Sequence, residues 1–420
     1  MGITRSGVRR PGVKAASVVA LMVAAIAFLS ACSSVTGYSG DVRGNGEFGD
    51  MIKPAISVTD ESGKLLSSSS TDNPDTDMSK SNVGVQPGRP VVVKASEGAI
   101  SDVRIKKNSG GYIKGNLSDD GTTWTSAEPF GYGSTYTVEA KAVGVGGTTT
   151  NTTKFTTRAP ESKTAAYISP PDGETVGVAQ TVGVRFDESI SDRKAAQDAI
   201  KITANPSVEG AFYWISDQEV RWRPENYWKP GTKVSVKVDI FGIDLGKGMF
   251  GESNESSSFK VGRDLELFAD DNTKMVTVKK NGKVIRTMPT SMGKDSTPTN
   301  NGIYMIGDRL DNIIMDSSTY GVPSTSAEGY RTPVDYATQM SYSGIYLHSA
   351  PWSVWAQGNT NTSHGCLNLS PDDALWVVRN TLRGDPVTVK NTVGDPLPGT
   401  DGLGDWNIPW STWKKGNAND

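Results

Sequence analysis

Apolar and polar positions alternate strictly in two stretches of the chain. "STYTVEAKAV" begins at Ser134 and "TKVSVKVDIF" at Thr232; each has the period of two expected of a half-buried strand. Each stretch follows a glycine, Gly133 or Gly231. The interval between those glycines is also the interval between Trp124 in "SDDGTTWT" and Trp222 in "SDQEVRWR". A unit of about a hundred residues, built of short strands with turn signals between them, is therefore repeated. This predicts two tandem β-sandwiches, over 54–163 and 164–262, with Trp124 and Trp222 as core anchors. The loop "DLGKGMFG" at Asp244 has some calcium-loop character. Lys247 places a positive charge where a hard cation needs oxygen, so the loop reads as a plain turn.

The texture changes after Arg263. "KMVTVKKNGKVIRTM" is two alternating runs joined by Asn281-Gly282, a strong hairpin signal. A strand is expected around Ile313–Met315. The polar segment from Asp316 to Ser343 is too long for an ordinary connection and reads as a lid. "GIYLHSA" and "GCLNLS" read as two further strands. One helix follows: Ser370 suits the N-cap, Pro371 the first helical position and Asp373 a capping box. Ala374, Val378 and Leu382 would share its buried face, with Gly384 closing it. The expected fold is mainly β: two sandwiches, then a β-rich domain over 263–393 with one clear helix. The remainder, 394–420, is Trp-rich. Pro409 can open a short helix placing Trp410 and Trp413 on one side, so with Trp406 this reads as a strap packed on another part of the protein. The alternative use of these indoles is a carbohydrate-stacking platform.

The N-terminus carries a different pattern. Arg5, Arg9, Arg10 and Lys14 precede an apolar or small stretch from Ala15 to Leu29, too short for a comfortable membrane span. It ends in Leu29-Ser30-Ala31-Cys32, which resembles a bacterial lipobox. Residues 1–31 are thus expected to be a lipoprotein signal peptide, Cys32 the lipidated residue, and 32–53 a Gly/Ser-rich tether. That places the protein outside the cell, anchored to the outer face of the cytoplasmic membrane. A net charge of -3 without a long basic run gives nucleic-acid binding little support.

The chemistry gathers where residues are scarce. The 420-residue chain has only 2 Cys and 2 His. With Cys32 lipidated, Cys366 is the sole mature thiol, and it stands two residues after His364 and close to His348. A nucleophilic cysteine needs an imidazole partner, and either histidine can supply it. In a strand, His364 and Cys366 would share a face, and the helix from Pro371 would aim its positive end at this neighbourhood and favour a thiolate. Main-chain N–H groups around Gly365 and Cys366 are natural oxyanion donors. Zinc is a rival reading, but the chain has no further Cys or His and His-x-Cys is not its usual ligand spacing. No metal or organic cofactor is expected.

His348-Ser349, followed by Ser363-His364-Gly365-Cys366-Leu367-Asn368, resembles the signature of the L,D-transpeptidases that cross-link bacterial peptidoglycan. The lipobox, two immunoglobulin-like modules and Trp-rich tail further resemble its mycobacterial lipoprotein members. The resemblance implies Cys366 as nucleophile and His348 as general base. It implies that Ser349 orients His348 through its carbonyl, and that His364 and Gly365 shape the oxyanion site. It makes Asn368 a support for site or substrate and Tyr330 a lid tyrosine, with Met315, Ser343, Gly344 and Trp352 lining the donor site. The implied reaction is a 3→3 cross-link, made through a thioester between Cys366 and a tetrapeptide donor stem with release of D-Ala. The implied partners are peptidoglycan stem peptides, and carbapenems as covalent inhibitors. Two other readings are an L,D-carboxypeptidase using water and a non-enzymatic surface lipoprotein that binds through its sandwiches.

Overall fold

The computed structural model describes residues 53–66, 84–326 and 329–419. The expected signal peptide, Cys32 and nearly all of the tether lie outside the described residues. The protein is mainly β, as its alternation predicts. One sheet of the first sandwich orders the strands Ala55–Asp60, Val91–Ser96, Thr123–Ser126 and Gly115–Leu117. The facing sheet orders Tyr112–Ile113, Ala99–Lys107, Thr135–Gly144 and Gly147–Thr156. Val91, Val93, Ile105, Phe130, Tyr136 and Val138 fill the space between them. The second sandwich faces Ala166–Ser169, Val182–Phe186, Glu219–Pro224 and Gly210–Trp214 against Thr175–Val176, Glu255–Val261, Lys233–Val238 and Ile200–Asn205. The strand Ser162–Thr164 pairs in parallel with Met249–Gly251, so the second module gathers in residues just before 164. Among the described residues no three His, Cys, Asp or Glu side chains converge as a cation site. The Asp244 carboxylate accepts the Gly246 N–H at 2.9 Å, a local turn.

Trp124 and Trp222 are buried in their cores. Each ring lies over a glycine on the neighbouring strand. A Cβ on Gly115 would sit 2.1 Å from Trp124 Cζ2, and one on Gly210 would sit 2.1 Å from Trp222 Cζ2. The repeat therefore conserves a large ring against a missing side chain, not only a tryptophan. Gly210→Ala should force the Trp222 ring out of place and cost about 1–3 kcal/mol, as overpacking does. A lowered urea midpoint for the full chain, followed by tryptophan fluorescence, would show it; an unchanged midpoint would mean that the ring has room to move.

The third domain joins two sheets on one core. The five-stranded sheet runs Lys283–Pro289, Met275–Lys280, Leu265–Asp270, Pro386–Lys390, Gly302–Met305. The four-stranded sheet runs Arg309–Asp316, Arg331–Gln339, Tyr346–Ser349, Leu367–Leu369. Asn281 and Gly282 make the hairpin turn, with φ of 49° and 74°. The Pro371–Asn380 helix packs on the strands before and after residue 343. Ser370 Oγ accepts the Asp373 N–H at 3.2 Å and donates to Asp373 Oδ2 at 2.8 Å. The helix stops earlier than its pattern suggests. Thr381 turns to an extended conformation, so Ala374, Val377 and Val378 make the buried face and Leu382 falls beyond the end.

The expected lid also changes character. Residues Arg331–Gln339 are a strand paired with Arg309–Asp316 from Asp316↔Arg331 to Arg309↔Thr338. What remains outside the ladder is the hairpin tip, which opens with a short 3₁₀ turn at Ser317–Tyr320. Tyr330 stands where the tip re-enters the sheet, its main chain bonded to Ser317 in both directions.

The C-terminal segment ties two domains together. Leu397 enters the core of the third domain, and Asn407 pairs its amide with Ile303 N and O at 2.8 Å each. The short helix Trp410–Trp413 then crosses onto the second sandwich. Trp413 is fully buried and donates its Nε1–H to the Ala211 carbonyl at 2.8 Å. The Arg223 guanidinium sits 4.5 Å from the ring centroids of both Trp406 and Trp413, and 5.4 Å from that of Trp410. The strap reading holds, and these indoles are not a sugar-binding platform.

Candidate active site

Two parallel strands carry the site. Leu347 pairs with Leu367 and His348 with Asn368, which sets Cys366 at the entrance of its strand beside the strand of His348. Both side chains reach a cavity of about 370 Å3 lined also by Met315, Tyr330, Trp352 and His364. The two histidines are not equivalent. His348 is buried, and its Nδ1 lies 3.0 Å from the Ser349 carbonyl oxygen. A carbonyl can only accept, so Nδ1 carries the proton and Nε2 keeps its lone pair. Burial lowers the His348 pKa, with the Ser349 bond working the other way, so the ring rests neutral. His364 is exposed, its ring 5.4 Å from that of Tyr330.

The thiol differs from expectation. Burial pushes Cys366 up to about 11, the Tyr346 main-chain N–H opposing it only in part. The resting group is a neutral thiol, not a thiolate held by a helix end. Desolvation outweighs the favourable dipole, because Cys366 is 7% exposed and its Sγ contacts the Gly344 carbonyl oxygen at 3.6 Å. The shared strand face of His364 and Cys366 does not form either. The strand starts at Leu367, and Gly365 at φ 121° bends the chain just before it.

That bend is fixed by a residue missing from the candidate set. Ser363 Oγ accepts the Gly365 N–H at 3.1 Å and donates to the Cys366 carbonyl at 2.6 Å. The Gly365 N–H is therefore already engaged inside the protein. From behind, Thr299 Oγ1 donates to the Gly365 carbonyl at 2.8 Å, and Lys294 N–H to the Ser363 carbonyl at 2.9 Å. Ser363 was visible in the motif as a small hydroxylic residue; Thr299 gave no local signal.

Asn368 is buried and donates from Nδ2 to Ser353 Oγ at 3.0 Å, so it braces the Pro351–Ser353 turn that carries Trp352. The Trp352 ring stands 6.2 Å from the His348 ring. Ser343 does not line the cavity. Its N–H donates to Asp401 Oδ2 at 3.1 Å, and the neighbouring Tyr342 N–H donates to Oδ1 at 2.9 Å. Asp401 thus holds, from the C-terminal segment, the turn whose Gly344 carbonyl touches the thiol. Thr332 and Val334, on the strand read as lid, complete the cavity wall.

The arrangement has the parts for acyl transfer to a thiol: a buried Cys, an imidazole with a fixed tautomer, and a partly open cavity lined by both. Residues 82–244 match a bacterial Ig domain family, and residues 265–389 match the L,D-transpeptidase catalytic domain family. L,D-transpeptidase 2 of Mycobacterium tuberculosis (strain CDC 1551 / Oshkosh) is 57% identical, over 80% of this chain and 82% of its own. L,D-transpeptidase 5 of M. tuberculosis (strain ATCC 25618 / H37Rv) is 34% identical, over 78% and 73%. A crystal structure of L,D-transpeptidase 3 from M. tuberculosis, in complex with a faropenem-derived adduct, is similar over 54% of this chain and 97% of that one, at 33% identity and a TM-score of 0.45. With a catalytic-domain match that spans both Cys366 and His348, and a relative more than half identical over most of both chains, this protein belongs to the L,D-transpeptidase family.

Proposed function

We propose that this enzyme forms 3→3 peptidoglycan cross-links through a thioester on Cys366. The observation that carries the reading is a buried neutral thiol and a buried imidazole, whose Nδ1 is tied to the Ser349 carbonyl, both lining one cavity. His348 Nε2 takes the thiol proton as Sγ attacks the carbonyl between the third residue of the donor stem, a diamino acid, and its terminal D-Ala. Concerted transfer suits two groups that both rest neutral. The tetrahedral oxyanion is held by main-chain N–H groups of the His364–Cys366 bend; with Gly365 engaged by Ser363, its two neighbours take that part. Collapse of the intermediate passes the proton from His348 to the departing D-Ala amine and leaves the thioester. The side-chain amine of an acceptor stem, deprotonated by His348, then attacks and releases Cys366. Tyr330 and Trp352 frame the donor, and Asn368 supports the frame. Cys366 would open a carbapenem lactam by the same attack. Cys32 would carry the lipid that anchors the exported chain to the outer face of the membrane.

The test is a product assay with one tetrapeptide donor. The proposal predicts D-Ala release and a 3→3 dimer. Tripeptide as the only product would make the enzyme an L,D-carboxypeptidase, and no turnover would leave a surface-binding lipoprotein.

A further inference from the structure

The wall of the cavity continues outward as an aromatic surface that the reaction above does not use. Trp355 is 72% exposed, Trp352 53% and Val354 48%. Exposed indoles on a flexible loop would mean little, but this loop is held. Ser353 and Ala356 point inward and are buried. Ser353 Oγ takes the Asn368 amide proton at 3.0 Å, Gln357 Nε2 donates to the Ala350 carbonyl at 3.3 Å, and the Gly358 N–H donates to the Thr290 carbonyl at 3.0 Å. The indoles are displayed on a frame bonded to the strand of Cys366. Burying such surface is favourable, so its rigid exposure beside a reaction site marks a contact for substrate.

The chemistry of the segment says which part of a substrate. From Ser349 to Pro371 there is no Asp, Glu, Lys or Arg. The aromatic pair is followed by Gln357, Asn359 and Thr360, all neutral hydrogen-bonding groups. The aromatic turn itself offers a charged stem peptide no ionic partner; Asp271, Lys274, Lys294 and Asp295 gather instead at the far end of the stretch, around Asn359–Asn361. A neutral pyranose fits: its C–H face stacks on indole, while its hydroxyl and acetamido groups pair with amide and hydroxyl side chains. Trp352 lines the cavity yet is 53% exposed, and Trp355 follows three residues on in the same turn, so a ligand on Trp355 would extend outward from a donor at Cys366.

We propose that Trp355, with Val354 and the outer face of Trp352, is a stacking platform for an N-acetylated sugar ring of the glycan strand that bears the donor stem. This rests on the peptidoglycan reading of the site. D-Ala release should be compared for a free tetrapeptide and a disaccharide-tetrapeptide, with wild type, Trp355→Ala and Trp355→Phe. Wild type should favour the sugar-bearing donor in kcat/KM. Trp355→Ala should lose about five-fold of that preference, chiefly through KM, and Trp355→Phe should keep most of it. A wild type without preference, or an alanine variant that leaves the preference unchanged, overturns the platform while D-Ala release from either donor upholds the reaction. Absence of D-Ala release from both donors is failure of the reaction instead. In that case tryptophan quenching of the Cys366→Ala protein by the disaccharide-tetrapeptide decides the platform: it should be saturable and weakened by Trp355→Ala, and no saturation or no weakening overturns it.

Discussion

Cys366→Ser should bring D-Ala release from a tetrapeptide donor down by more than about 10⁴-fold, with the fold retained. The loss follows from the mechanism, not from packing. Serine fills nearly the same volume, and its hydroxyl can keep the contact that Sγ makes with the Gly344 carbonyl at 3.6 Å. What it cannot do is ionise under a neutral imidazole in a site where burial has already raised even a thiol to about 11. Near-wild-type circular dichroism and thermal midpoint, beside lost turnover, would separate chemistry from stability. Retained D-Ala release would place the nucleophile elsewhere.

His348→Ala should slow acylation by about 10²–10⁴-fold, the usual worth of a general base. Its pH dependence is the sharper test. Burial lowers the His348 pKa below the ordinary histidine value of about 6.5, so the neutral base persists as pH falls through that value. The acid limb of kcat/KM should therefore lie below pH 6.5, and the raised thiol adds no limb near neutrality. Without His348, only the free thiolate can attack. Residual acylation should then climb roughly tenfold per pH unit until the thiol titrates near 11. His364→Ala removes an exposed ring beside Tyr330 and should keep the wild-type profile. A flat residual profile in His348→Ala, with a steep one in His364→Ala, would exchange the two roles.

Local signals were legible in the sequence. Ser370-Pro371 starts its helix because capping is decided within one turn, and Asn281-Gly282 closes its hairpin because both residues must take positive φ. The tail's three tryptophans announced a buried contact, though not Arg223 as the group they enclose. The strand Arg331–Gln339 was hidden by its composition. It carries Pro333, which has no N–H to give, yet the strand Tyr346–Ser349 pairs only with Ala337–Gln339 and leaves the edge at Pro333 open. In the site, the Ser-His-Gly-Cys stretch pointed to the proposed nucleophile, and the resemblance to the proposed base. The tautomer of His348 came from a carbonyl contact, while the raised thiol is set by burial, a property of the whole domain. The resemblance implied Ser343 as a lining residue of the donor site; in the fold it is absent from the cavity wall, and its N–H is taken by Asp401, from far along the chain.

The central claim is that the donor becomes covalently bound to Cys366 with loss of D-Ala. Intact-protein mass spectrometry during turnover of a tetrapeptide donor, with acceptor withheld, tests it most directly. The account predicts a protein heavier by the donor less D-Ala, the added mass mapping to the Cys366 peptide and absent from Cys366→Ser. D-Ala released without any acyl-protein on a rapid quench, or an adduct mapping to another residue, would contradict it.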